Sequence, residues 1–473
     1  MTVPRSIEVA IVGGGFTGAA VAYHLAHLRP GISIAVFEPR AVLGGGLAYD
    51  DHDPAHRINV PATRMSLVPQ DENHFARWLE ESGAASDDPG ISGRDGALYP
   101  KRSVFGRYVA SHLDPLLATR RVHHVRSRVL SIAAEGGRWT LATDAGSRIS
   151  ARIAALATTH PPPDVPHALA PLMSDPRLVR DALVPGALAD IARDARVVIL
   201  GTGLTMADVV ASLDRQGHRG PITALSRRGL RSRGHAKLQV EPFGEFTAPP
   251  PRASALLRKV RRTIREAAAR GLSWHTVLDA LRAQAQTFWP LLAREEQSRI
   301  VRHLRVYWDV HRFRIAPQVE DVLDRRIAEG TLAIKAASVL EAGAEHDHLK
   351  LVVRNRRGGG QDTILADHVV VTTGPAHAKI LSTQPYLAGL AAGGLVRADH
   401  LGLGIACDGE SRALDVRGAP QETLFVAGPL ARARFGELMG LPQVSAHAVA
   451  VAQRIARDVE LAETRVRDVA AAK

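Results

Sequence analysis

Two stretches of the chain share one hydrophobic pattern. IEVAIV (Ile7–Val12) and VVIL (Val197–Leu200) are short apolar runs, rich in β-branched residues. Each enters a glycine turn, Gly13–Gly18 and Gly201–Met206, and then an Ala/Val/Leu-rich stretch at helical spacing. Runs this short without polar interruption suit strands buried on both faces of a parallel sheet. Each unit is followed by a further strand, ISIAVFE ending at Glu38 and PITALS ending at Ser226.

Between these units, and again after the second, the pattern changes to alternation broken by Gly and Asp. The segments 125–163 and 333–375 both read as a small β-meander that returns to an apolar strand and closes on Thr-containing turns, Thr158-Thr159 and Thr372-Thr373-Gly374. TLFVAGPL (Thr423–Leu430) adds a strand and turn before a long Ala/Val helix. From about 230 to 330 the period is helical, in segments that hold Trp274, Trp289 and Trp308. The fold class expected is α/β, with two Rossmann-like dinucleotide-binding domains, a split FAD domain and an inserted NAD(P)H domain. The expected boundaries are 1–160 for the first part of the FAD domain, 161–335 for the NAD(P)H domain with its helical insertion at about 230–330, and 336–473 for the return.

Charge alters the picture in one place. The formal charge of the chain is +12, and the segment Ser226–Arg314, with 19 Lys/Arg against 7 Asp/Glu, accounts for it. A local basic region suits anionic cofactors or substrates, and a solvated arginine face is the bland alternative. A single cysteine, Cys407, excludes a disulfide framework and an intramolecular CxxC redox pair, and fits a reducing, cytoplasmic compartment. No apolar run approaches the ~20 residues that span a bilayer. The histidines are scattered without an HExxH, so no metal is expected.

The glycine turns carry the chemistry. In Gly13-x-Gly15-x-x-Gly18 the first glycine permits the turn, the second admits a pyrophosphate, and the third packs helix on strand. Glu38, 20 residues beyond Gly18, stands where a carboxylate accepts hydrogen bonds from a ribose diol. Gly44, Gly45 and Gly46 follow directly, a loop along which an extended FAD can run. In the second unit Gly201 and Gly203 fill the first two positions, but Met206 replaces the third glycine. There the following strand ends in Ser226-Arg227-Arg228 instead of an acid, which suits the 2′-phosphate of NADPH. At the Gly428-Pro429 turn, backbone at Gly428 is expected close to the ribityl chain of FAD, and Pro429 removes a polar contact common in flavoproteins.

The stretches VGGGFTGAAVAYHL, GGGLAYDDHDPAHRINVPATRMSLVPQDENHFARWL, GTGLTMADV, SRRGL and YWDVHRFRIAP together resemble a bacterial family of FAD/NAD(P)-binding proteins, distantly related to flavin monooxygenases and amine N-hydroxylases. The resemblance covers nearly the whole chain. It implies FAD on Gly13, Gly15, Gly18 and Glu38, and NADPH or NADH on Gly201, Gly203, Ser226, Arg227 and Arg228. It also places Arg57, Asn59 and Arg64 near the flavin or its phosphates. One assigned activity in that family is an FAD-dependent urate hydroxylase that forms 5-hydroxyisourate, an activity in purine metabolism.

The expected function is therefore an FAD-dependent NAD(P)H monooxygenase acting with O₂, through a flavin hydroperoxide, on a small polar, anionic substrate such as urate. FAD ligands include Gly45, Gly46, Asn59 and Gly428; Arg57, Arg64, Arg312 and Arg314 are candidate substrate residues. His311 is the candidate base by residue type. Amine N-hydroxylation is the alternative, against which the basic segment argues, because an ammonium group calls for carboxylates. From another class, a nucleic-acid-binding flavoprotein could use the 226–314 segment, though no groove-reading motif accompanies its charges. No membrane partner is expected, and self-association is left open.

Overall fold

The computed structural model describes residues 4–50, 53–238, 240–356 and 358–471, with side chains to 464. Asp51 and His52 of the quoted 44–79 motif lie outside the described residues. The chain forms two mainly parallel sheets.

The first sheet has the strand order Arg412–Leu414, Pro420–Val426, Arg148–Leu156, Ser6–Val12, Ile34–Phe37, Val122–Val125. Its centre is parallel, with Val12 opposite both Phe37 and Leu156. The antiparallel strands Val129–Glu135 and Arg138–Thr143 are attached to Arg148–Leu156 as the predicted meander. Every side chain of Ile34–Phe37 is buried, as a central parallel strand requires. The helices Phe16–Leu28 and Leu441–Ala471 pack together on one face of this sheet.

The second sheet runs Gln361–Ala366, His348–Asn355, Leu332–Glu345, Ile222–Ser226, Val197–Leu200, His368–Val371, Leu178–Val179. Here the expected boundary at 336 fails. Leu332–Glu345 is one 14-residue strand. Its first residues pair in parallel with Ile222–Ser226 and the rest pair antiparallel with His348–Asn355, past a register shift at Val339/Glu341. His368–Val371 still lies beside Val197–Leu200. The chain therefore returns to the first sheet only after Val371.

The helical insertion is also shorter than expected. Helices Ala253–Ala269, Trp274–Phe288, Arg294–His303 and Arg305–Arg312 form a separate cluster around Phe246, Val277 and Leu281. The next helix, Pro317–Ala328, packs on Leu204–Arg215 and buries Leu323, so it is the crossover of the second Rossmann unit. The basic face of Ala253–Ala269 (Arg258, Arg261, Arg262, Arg265) is exposed.

A single apolar core runs from the first unit (Val9, Leu25) into the second (Ile199, Leu213). No helix among the described residues is long and apolar enough to cross a membrane. No group of described His, Cys, Asp and Glu could hold a metal ion.

Candidate functional site: two dinucleotide cradles and an arginine cluster

The first cradle is built by what glycine lacks. Gly13 has φ +102°, and a Cβ there would lie 2.7 Å from the Ala157 carbonyl oxygen. A Cβ at Gly18 would collide with the carbonyl of Gly13, and one at Gly46 would stand 2.8 Å from Gly15 Cα. Helix Phe16–Leu28 starts without a side-chain cap, so its first N–H groups and its dipole are available to an anion. The buried Glu38 carboxylate accepts from Gly14 N–H at 3.0 Å and from Arg40 N–H and Nη1 at 3.1 Å. Those bonds fix it at the end of its strand and leave lone pairs for a diol. Gly45 and Gly46 open the short helix Gly46–Tyr49 beside Gly15. Asn59 is half-buried, and its carbonyl accepts from His235 Nε2 at 3.0 Å.

The second cradle repeats the scheme with differences. Gly201 has φ +126°, and its missing Cβ would collide with the Thr372 carbonyl; around Gly203 the space is open. Helix Leu204–Arg215 likewise has no side-chain cap. Met206, in place of the third glycine, is fully buried in the core, where the helix seats it without closing the cradle. Thr202 donates to the Leu230 carbonyl at 2.5 Å and accepts from Ser226 Oγ at 2.9 Å, and Ser226 Oγ accepts from Gly229 N–H at 3.0 Å. Arg227 and Arg228 are exposed beside it, Arg228 donating to Tyr307 Oη at 2.9 Å and lying over its ring.

These two cradles fit dinucleotides: each pairs an uncapped helix start with glycines whose side chains would fill the approach.

Several expected site residues stand elsewhere. Arg57 is held within the core. It is buried, and its guanidinium is held by Asp88 (2.7 and 3.0 Å) and by the Tyr99 carbonyl (2.9 Å). The N–H of Gly428 donates to His447 Nδ1 at 3.0 Å, so that group is taken within the protein. His447 in turn must donate from Nε2 to Ser411 Oγ (3.0 Å), and burial lowers its pKa to about 4. His311 is half-buried on helix Arg305–Arg312. Its Nδ1 donates to the Tyr307 carbonyl at 2.7 Å, and its ring meets Trp274 edge-on. From the same helix it is Asp309 whose carboxyl burial raises, with Arg305, Arg432 and Arg312 opposing.

Arg64, Arg312 and Arg314 are brought together, with Arg282 as a member that sequence reasoning missed. Arg312 pairs with buried Glu437, and Arg314 donates two hydrogen bonds to Asp279, at 2.8 and 3.1 Å. Arg282 donates to Gln443 at 2.8 Å, and a Cβ at Gly440 would press on both Arg282 and Arg312. The cluster thus abuts the start of helix Leu441–Ala471. Burial lowers Arg282 to about 10, with the charges of Arg314 and Arg64 acting in the same direction against Asp279. The Nε atoms of Arg282, Arg312 and Arg314 are buried without a hydrogen-bond partner. Four arginines and three carboxylates, Asp279, Asp309 and Glu437, gather beside the start of that helix.

The fold and these cradles define a class, an α/β chain with two dinucleotide-binding domains of the kind found in flavin monooxygenases. Residues 10–161 match the model of a family described as FAD-NAD(P)-binding. No curated protein matches the chain. Among solved structures, the reduced form of ornithine hydroxylase from Pseudomonas aeruginosa matches with a TM-score of 0.64 at 15% identity, covering 96% of this chain and 100% of that one. Ornithine N-hydroxylase of Kutzneria sp. 744 matches with TM-score 0.64 at 18% identity, over 96% and 99%. L-lysine 6-monooxygenase of Pseudomonas syringae gives TM-score 0.64 and 18% identity over 96% and 100%.

Proposed function

We propose that the protein is an FAD- and NAD(P)H-dependent monooxygenase that N-hydroxylates an amine on a small molecule also bearing an anionic group. The observation that carries this reading is the likeness in fold, along 96% of the chain, to enzymes named as ornithine and lysine hydroxylases. It moves the weight from urate, the first expectation, to the amine alternative. The overall reaction balances as R–NH₂ + NAD(P)H + H⁺ + O₂ giving R–NHOH + NAD(P)⁺ + H₂O.

Gly13, Gly15, Gly18 and Gly46 with Glu38 are the residues for FAD; Gly201, Gly203, Ser226, Arg227 and Arg228 are those for the nicotinamide coenzyme. When bound, these cofactors supply the electrons and the activation of O₂. The chain supplies binding, orientation and a dry site. Arg282, Arg312 and Arg314 hold the substrate anion. An ammonium must lose a proton before nitrogen can act as a nucleophile, and the objection that carboxylates are lacking falls, because Asp309, Asp279 and Glu437 lie among the arginines. Asp309, half-buried and with raised basicity, is the group assigned to that proton; His311, with Nε2 left as an acceptor, is the rival.

The test is aerobic NADPH and NADH oxidation by the flavin-loaded protein with ornithine, lysine, cadaverine and urate, together with detection of the hydroxylamine product. Oxidation accelerated by an amine, with hydroxylamine formed, supports the reading. Urate consumption in place of amine consumption replaces it with the urate reading, which the arginine cluster also favours. No coenzyme oxidation under any addition ends both.

A further inference from the structure

The two chain crossings between the sheets run side by side. Pro163 and Pro375 form an antiparallel bridge, and the Ala376 N–H donates to the Pro162 carbonyl at 3.2 Å. This brings His160 and His377 together, Nδ1 to Nδ1 at 3.2 Å, with rings edge to face. Burial lowers their pKa values to about 3 and about 2, and the charge of Arg432, then of Arg305, acts in the same direction. Two neutral imidazoles can share this bond only if one Nδ1–H donates to the other. The Nε2 of His160 is buried and has no partner.

Arg432 neighbours this pair. It opens the short helix Arg432–Phe435 after the Gly428 turn and is 6% exposed. Its Nε and Nη2 are both buried without a hydrogen bond. These two nitrogens form one edge of the guanidinium, whose parallel N–H bonds match two oxygens of a carboxylate or phosphate. The protein uses that same edge elsewhere. Arg177 grips Asp175 with it at 2.9 and 2.7 Å, and Arg196 grips Asp367 at 3.1 and 2.6 Å. The carboxylates whose charge reaches Arg432 are already engaged. Asp309 is bonded by Arg305 at 3.3 Å, and Asp399 accepts from the N–H groups of Leu401 and Leu403 at 2.8 and 3.1 Å. A charged donor pair left buried and unmet costs its full desolvation, so a ligand is the natural complement.

We propose that Arg432, with His160 beside it, is a receptor for an oxyanion that enters where the chain crosses between the two sheets. The oxyanion is a phosphate of a bound dinucleotide or the carboxylate of a small substrate. The inference rests on the unmet guanidinium edge and not on the reaction proposed above, so binding without turnover tests it.

The experiment is isothermal titration of the protein as purified with NADP⁺, inorganic pyrophosphate and glutarate, for the wild type, Arg432→Gln and Arg432→Lys, with bound flavin read from absorbance. The expected result is a loss of about tenfold or more in affinity for one class of probe in Arg432→Gln. Arg432→Lys, which keeps the charge but loses the fork, should recover only part of it. Weakened NADP⁺ and pyrophosphate binding, or loss of flavin during purification, assigns the site to a dinucleotide phosphate; weakened glutarate binding alone assigns it to a substrate carboxylate. If Arg432→Gln does not fold, as judged by circular dichroism, the Lys variant carries the comparison. Unchanged affinities and flavin content in the variants, or no binding of any probe to the wild type with flavin content unchanged, overturns the proposal.

Discussion

Arg57 offers a sharp test, because the sequence places it at the substrate and the structure places it in the core. Arg57→Met keeps most of the side-chain volume and removes three hydrogen bonds, two to Asp88 and one to the Tyr99 carbonyl. Asp88 then remains as a buried carboxylate without its counter-ion. Burial pushes the Asp88 carboxyl up, but its bonds to Arg57 and that charge outweigh burial, so the net shift is downward. Deleting one partner of such a pair costs about 3–5 kcal/mol, whereas replacing both with apolar groups is often close to neutral. Arg57→Met should therefore lower the urea midpoint strongly, and Arg57→Met/Asp88→Leu should recover most of the loss. The pH dependence supplies an independent sign. In the wild type a lowered Asp88 pKa stabilises the fold above the unfolded carboxylate range, and this is lost as pH falls through the folded value. In Arg57→Met only the Lys101 charge and the Gly90 N–H still oppose burial, and Asp88 takes up a proton more readily in the fold, so the deficit relative to wild type should shrink as pH falls from 7 toward about 4. A variant within about 1 kcal/mol of wild type at pH 7, with weakened substrate binding, would refute the reasoning and return Arg57 to the substrate.

The two glycine cradles should respond unequally to a single methyl group. Gly18→Ala, which drives Cβ into the Gly13 carbonyl, and Gly201→Ala, with its positive φ and the Thr372 carbonyl in the way, should abolish tight binding of FAD and of NADP⁺ respectively; Gly203→Ala, at φ −90° in open space, should cost about 1 kcal/mol or less in fold stability, read by flavin content, titration and melting. Arg228→Glu should weaken NADPH by about tenfold or more while sparing NADH, measured as the ratio of their dissociation constants. The neutral His447 between Gly428 and Ser411 should make the fold acid-sensitive. Its depressed pKa leaves stability intact above about 6.5 and removes up to about 3 kcal/mol as pH falls toward about 4, and His447→Asn should flatten that part of a melting-versus-pH profile. Asp309→Asn should lower the rate of amine-dependent turnover with little change in flavin content, whereas His311→Gln should leave turnover within about twofold; the reverse ranking would make His311 the base.

The cradles were legible because their demands are local. A turn at φ +102° and a helix start that must touch a preceding carbonyl are written in six consecutive residues. The boundary at 336 was misplaced because one strand changes partner midway, parallel on its first half and antiparallel on its second, and no hydrophobic period marks that change. The burial of Arg57 could not be read from the sequence, because its partner, Asp88, stands 31 residues away. Arg282 and Arg432 were missed for the same reason. Each lies in a segment whose pattern reads as an ordinary amphipathic helix or turn, and only the packing of the insertion on residues 397–443 gives each its buried neighbours. In that packing Trp289 donates to the Ala433 carbonyl at 2.9 Å and His400 bonds Gln297 at 2.7 Å.

The second cradle is held against the first domain by polar ties on the helix that opens it. Asp208, buried on Leu204–Arg215, is gripped by Arg102 Nη2 at 2.9 and 2.8 Å. Along the same helix Ser212 bonds His56 at 2.8 Å, and Arg215 reaches Asp53 at 3.0 Å. These contacts fall one helical turn apart, so they fix the rotation of the helix about its axis as well as its position. With the apolar core continuous beneath them, a swing of the nucleotide unit would break a buried ion pair and expose apolar surface together. At the rim of the cradle Arg228 of the Rossmann unit meets Tyr307 of the insertion.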